Sequence, residues 1–183
     1  MLLQTSNSLL LVIDIQSRLA PYIHQGSKVV NNTLWLIEVA RACEVPVRMT
    51  EQYPQGIGPT VPPIAAKIDS NELLQKMHFS AVKEPDIKDH LAKLGRQQII
   101  VTGTETHVCC LQTSLDLLEL GYEVYLVEEA LGSRRDADKK LGLQRMQQAG
   151  AVIVNKEMVA FEWLEKAGTD QFRQVSKNWI KPG

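Results

Sequence analysis

A chain of 183 residues suits one domain with a sizeable core, taken here as 1–183. Charged residues make up 22% and the net charge is −1, so nothing electrostatic favours nucleic acid or an anionic membrane as partner. No apolar run approaches the roughly 20 residues of a membrane span, and Leu9–Ile13 ends at Asp14 without a basic leader or cleavage site, which excludes a signal peptide and points to the cytoplasm.

Ser8 to Ile13 is rich in Leu, Val and Ile and too short for a helix, so it reads as a buried parallel strand. It ends in Asp14-Ile15-Gln16. A carboxylate at the carboxyl end of such a strand stands where open α/β sheets place ligand groups, although a simple strand terminator fits equally well. Lys28 to Cys43 carries Val30, Leu34, Ile37 and Ala40, a helical face. A second strand follows around Val45 to Thr50.

Glu51 to Pro63 is dense in Pro and Gly, the composition of a lid or binding loop, or of a plain surface excursion. Its Gly56-Ile57-Gly58 lacks the third glycine and the strand–turn–helix setting of a dinucleotide fingerprint. Ile64–Ile68 reads as a short helix and Leu73–Lys76 as a short strand that delivers Lys76. Asp86 to Leu94 is helical and stops at Gly95.

Gln98-Ile99-Ile100-Val101 is a buried strand running into the Gly/Thr-rich turn Thr102 to His107. Leu111, Leu115 and Leu118 then recur at helical spacing, so Cys109 and Cys110 lie near a helix start. Unpaired N–H groups and a partial positive charge at that point lower a thiol pKa and can hold an oxyanion. Gly121–Val127 and Ala151–Val154 are further strands, and Ala137–Gln148, Glu157–Ala167 and Asp170–Trp179 are helices.

This alternation predicts one doubly wound, Rossmann-like α/β domain, a parallel sheet of about six strands with helices on both faces. Right-handed crossovers put every carboxyl end on one edge, so Asp14, Glu51, Lys76 and the 103–109 turn share a rim. Carboxylate, ammonium and thiol there form a coherent nucleophilic site, with Cys109 or Cys110 as the nucleophile. Against it stands the usual role of a buried cysteine as an inert small hydrophobe. The three cysteines are Cys43, Cys109 and Cys110, two of them adjacent, so a disulfide framework is not expected. The four histidines lack ligand spacing and there is no Cys-x₂-Cys, so no metal and no cofactor are expected.

Three ordered segments resemble the isochorismatase-like cysteine hydrolases, in the branch of isochorismatase domain-containing proteins. They are Leu10–Gln16, Lys76-Met77-His78-Phe79-Ser80, and Val101–Cys109 followed by Thr113, within a match from about residue 8 to 155. The resemblance implies a catalytic triad of Asp14, Lys76 and Cys109, with Cys110 packed against the sheet. It further implies a cis peptide between Thr104 and Glu105 and an oxyanion hole from the N–H groups of Glu105 and Cys109. Gln16, Glu51, Tyr53, Phe79 and His107 are weaker candidates to touch a small-molecule substrate, His107 equally a prop for its turn. Nicotinamidases of the superfamily bind a metal through an Asp/His cluster after the second strand; here Glu51-Gln52-Tyr53-Pro54-Gln55 has no His, which argues against both metal and nicotinamidase activity.

The implied reaction is amide hydrolysis through a Cys109 thioester. The alternatives are thiol-independent, isochorismatase-type ether hydrolysis and a catalytically silent interaction protein. Trp35, Trp163 and Trp179 suit either an oligomer interface or core packing, and the resemblance favours a homo-oligomer.

Overall fold

The computed structural model describes residues 1–180. Its elements, in chain order, are β1 (Ser8–Ile13), α1 (Gly26–Ala42), β2 (Val47–Gln52), α2 (Pro54–Ile57), α3 (Pro62–Ala65), β3 (Leu73–Lys76), α4 (Pro85–Lys93) and β4 (Gln98–Thr104). There follow α5 (Leu111–Glu119), β5 (Glu123–Gly132), α6 (Asp136–Gln148), β6 (Val152–Val154), α7 (Lys156–Leu164) and α8 (Asp170–Val175). The predicted α/β alternation is therefore present, with β2 starting two residues later than expected and β5 running on to Gly132.

The six strands are parallel and ordered β3-β2-β1-β4-β5-β6. In this order the chain winds outward from β1 in one direction and then from β4 in the other. The switch falls between β1 and β4, where crossovers leave a crevice at the carboxyl ends. Asp14 leaves β1 there and the 103–109 turn leaves β4.

Alternation along the buried strands sends side chains to two cores. Leu10 and Val12 of β1 pack with α1, α3, α7 and α8, whereas Leu9, Leu11 and Ile13 pack with α4, α5 and α6. Each fully buried aliphatic side chain contributes about 1.5–3 kcal/mol relative to exposure. This two-sided burial makes the fully buried β1 and β4 the floor of the crevice.

The tryptophans turn inward. Trp163 is buried and donates to Ser8 Oγ at 2.9 Å, while Trp35 donates to the Trp179 carbonyl at 2.8 Å and lies under the Lys156 ammonium. Their role within this chain is core packing.

The Pro/Gly-rich stretch is tied down. Gln16 Nε2 donates to the Gly58 carbonyl at 2.6 Å, Ser17 N to Pro59 O at 2.8 Å, and Arg18 N to Ile57 O at 3.1 Å. Residues 53–60 thus form a strap laced to the segment after β1. Among the described residues no helix is long and apolar enough to cross a membrane.

Candidate active site

Asp14 is the first residue beyond β1 and takes a left-handed conformation, φ 51°, that non-glycine residues rarely adopt. The conformation turns a buried carboxylate away from the sheet register, at a cost of about 1–2 kcal/mol. Asp14 Oδ1 accepts from Thr50 Oγ1 at 2.7 Å, and the Asp14 carbonyl accepts from Thr104 Oγ1. Neighbouring strands on both sides therefore hold this one residue.

Lys76, at the end of β3, reaches back across the edge until Nζ stands 2.7 Å from Asp14 Oδ2. The three hydrogen bonds of this ammonium go to Gln52 Oε1 at 2.7 Å, Phe79 O at 3.0 Å and His78 O at 3.3 Å. Both partners of the ion pair are shut off from water, at 0% and 1% side-chain exposure. Two buried charges persist only when paired and hydrogen-bonded. Lys76 is, whereas Asp14 Oδ2 has the ammonium as its ionic partner and no hydrogen bond among the described residues, which leaves it able to take a proton.

The Cys109 thiol completes the group, close enough that both Asp14 and Lys76 act on its ionisation. It sits in a π-helical turn, Thr106–Cys110, that precedes α5. Such wide turns place side chains off the regular helical positions and occur often at functional sites. Cys110 points the other way, fully buried, with Sγ donating to the Thr104 carbonyl at 3.3 Å.

Gly103 makes the crossing possible. A Cβ there would lie 2.1 Å from the Ile13 carbonyl oxygen, and its φ of 137° suits glycine alone. The β4–β5 register slips at this point. A glycine bulge thus brings the 103–109 turn against the end of β1.

Two expectations change. Among the described residues no peptide bond is cis, so the Thr104–Glu105 bond is trans. Glu105 instead reverses the chain through a left-handed backbone, φ 54° and ψ 61°. The thiol is also not acidified. Burial pushes Cys109 up to about 12, Asp14 adds to this, and Lys76 opposes it without prevailing. At neutral pH the resting group is the thiol.

Of the weaker candidates, Gln16 and Glu51 are consumed internally. Gln16 exchanges hydrogen bonds with the Gln52 main chain at 2.8 and 2.9 Å, and Glu51 Oε1 accepts from Thr60 N and Oγ1, both at 2.7 Å. His107 Nδ1 lies 3.0 Å from Ser133 Oγ and 3.3 Å from Glu105 Oε2, which places it as a prop for its turn. Tyr53 and Phe79 are about half exposed at the rim. Among the described residues no group of three His, Cys, Asp or Glu is gathered to hold a metal.

Gln52 escaped the sequence reading. Its side chain accepts from Lys76 and donates to the Met77 carbonyl at 2.7 Å. Its position at the end of β2, on the same rim, was the only signal.

The isochorismatase domain model matches residues 8–158. The chain belongs to the isochorismatase family. Isochorismatase domain-containing protein 2 of Danio rerio is 35% identical over 181 residues, covering 98% of this chain and 90% of that protein. The MAR1 ribonuclease of Caenorhabditis elegans superposes with a TM-score of 0.91 at 33% identity, over 100% of this chain and 95% of its own. The YcaC gene product of Escherichia coli, described as an octameric hydrolase of unknown specificity, gives a TM-score of 0.91 at 25% identity over 98% and 91% of the two chains. The family's α/β fold is thus that of this chain, from β1 through β6.

Proposed function

We propose that this isochorismatase-family protein is a cysteine hydrolase that cleaves the amide bond of a small molecule. The observation that carries this reading is the meeting of Asp14, Lys76 and Cys109 from the ends of three different strands. An ordinary core has no use for a buried ion pair beside a thiol.

The high thiol pKa sets the order of events. A free thiolate does not accumulate, so sulfur attacks the amide carbon as its proton passes to the Asp14 carboxylate. Lys76 stabilises the negative charge on both. The N–H groups of Glu105 and Cys109 are assigned to the tetrahedral oxyanion, on a trans backbone turned by the left-handed Glu105 rather than by a cis bond. Protonated Asp14 then gives its proton to the leaving amine, and a thioester remains on Cys109. Water attacks the thioester carbon while Asp14 takes the water's proton, and that proton returns to sulfur as the acid departs.

Ether hydrolysis with Asp14 as the acid is the second reading, and one observation favours it: a thiol only 6% exposed with a pKa near 12 is a reluctant nucleophile. A panel of small amides and vinyl ethers separates the two. In the amidase, Cys109→Ala abolishes turnover and the wild type shows a trapped acyl adduct by mass; in the ether hydrolase, turnover survives. The nucleic-acid substrate implied by the name of the nematode neighbour is not carried over, because a net charge of −1 supplies no surplus of cations for a phosphate backbone.

The protein works as a homo-oligomer in this reading. Support comes from the octameric bacterial relative and from the exposed Tyr53, Met77 and Phe79 side chains at the rim. Sedimentation velocity tests it: a monomer at micromolar concentration refutes assembly.

A further inference from the structure

We propose that Glu84 is a positioning residue that holds Lys76 in its working place by clamping the loop behind it. The proposal rests on the cysteine-hydrolase reading above. Lys76 Nζ donates to two carbonyls of the segment that immediately follows it, His78 O and Phe79 O. That segment has little packing of its own. Met77 is 63% exposed, Phe79 53%, and the His78 side chain 61%. Something other than apolar burial must fix these carbonyls.

Glu84 does so with one oxygen. Its Oε1 accepts from Met77 N at 2.8 Å and from His78 N at 2.9 Å, and it lies 2.8 Å from His78 Nδ1. Gln52 Nε2 secures the opposite side of the same turn through the Met77 carbonyl. The loop is therefore gripped by its N–H groups from Glu84 and by a C=O from Gln52, and its next two carbonyls face the ammonium.

The position of Glu84 makes this assignment more than an incidental contact. It stands at the N-cap of α4, just before Pro85, where a side-chain oxygen ordinarily accepts from the helix's own first turn. Glu84 makes no such bond and reaches back to residues 77 and 78 instead. The three donors also hold its carboxyl at about 2, so the clamp stays charged across the physiological range.

The test reads the thiol rather than turnover. Iodoacetamide labelling of Cys109 is followed by mass spectrometry from pH 7 to 10 in wild type, Glu84→Gln and Glu84→Ala, with thermal melts alongside. Val159→Ala, in the core on the opposite face of the sheet from Cys109, serves as a destabilised control. Below the thiol's midpoint the rate follows the thiolate fraction, so one unit of upward shift slows labelling about tenfold. Loss of Lys76 positioning predicts slower labelling in Glu84→Ala by about that factor, with Glu84→Gln in between because its amide oxygen still accepts from the loop. Direct removal of a negative charge, or general loosening, predicts the opposite sign, since either speeds labelling. Unchanged or faster labelling in both variants overturns the proposal, as does equal slowing in Val159→Ala. Failure of the underlying reading is separate: it appears as amide turnover that survives Cys109→Ala, whatever Glu84 does to the thiol.

Discussion

Lys76 Nζ and Asp14 Oδ2 stand 2.7 Å apart in an environment from which water is almost wholly excluded. The residues lie 62 positions apart in sequence and two strands apart in the sheet, since β2 runs between β1 and β3. Whatever the chemistry, this pair is a structural commitment, because either charge alone is far costlier than both together.

Removing one partner should therefore hurt more than neutralising both. Asp14→Asn or Lys76→Met is expected to cost about 3–5 kcal/mol in urea unfolding. The double variant should recover a substantial part of that loss. A double variant less stable than the wild type by the full sum of the two single costs would mean the charges do not depend on each other.

The two adjacent cysteines should behave oppositely. Cys109→Ala is expected to reduce amide turnover by at least about a thousandfold while leaving the melt nearly unchanged. Cys110→Ala removes a fully buried group from the core beside Thr104 and should lower stability by about 1–2 kcal/mol with turnover retained. Steady-state kinetics and denaturation curves on the same preparations decide it.

Burial of the thiols predicts alkaline instability. Burial pushes Cys43 up to about 11, and Cys109 reaches about 12, both from an unfolded value of 9.0. With the folded pKa above the unfolded one, the native state holds its thiol protons more tightly. Stability is then fully present below pH 9 and falls as pH rises toward 11 and 12. Each thiol contributes a slope of at most about 1.4 kcal/mol per pH unit in that window. Urea unfolding at pH 8 and pH 10 should show the fall, and Cys43→Ala should reduce it.

Gly103→Ala should be among the most damaging small substitutions in the chain. Its methyl group would meet the Ile13 carbonyl at 2.1 Å in a backbone conformation closed to alanine. A loss above about 3 kcal/mol, or failure to fold, is expected. Gly95→Ala, whose Cβ meets nothing within 4 Å, gives the comparison at another positive φ and should cost less. Thermal melts of the two variants check this directly.

The sequence by itself determined a good deal. Apolar runs separated by helical periodicities dictated a parallel α/β sheet, and parallel strands put Asp14, Lys76 and the Cys109 turn on one edge. That inference needs only local patterns and the handedness of crossovers, both of which are written in short stretches of chain. The tertiary structure decided how polar side chains spend their hydrogen bonds. Gln16 and Glu51 looked available on the rim, yet they lace the strap of residues 53–60 to β2. Gln52 and Glu84 looked ordinary, yet they hold Lys76 and the loop behind it. The ionisation of Cys109 was likewise out of reach, because a cation nearby and a helix start argue downward while burial argues upward, and only packing fixes which prevails. Burial pattern is a local property of sequence; the partner of a buried polar atom is set by segments that meet only after the sheet has formed.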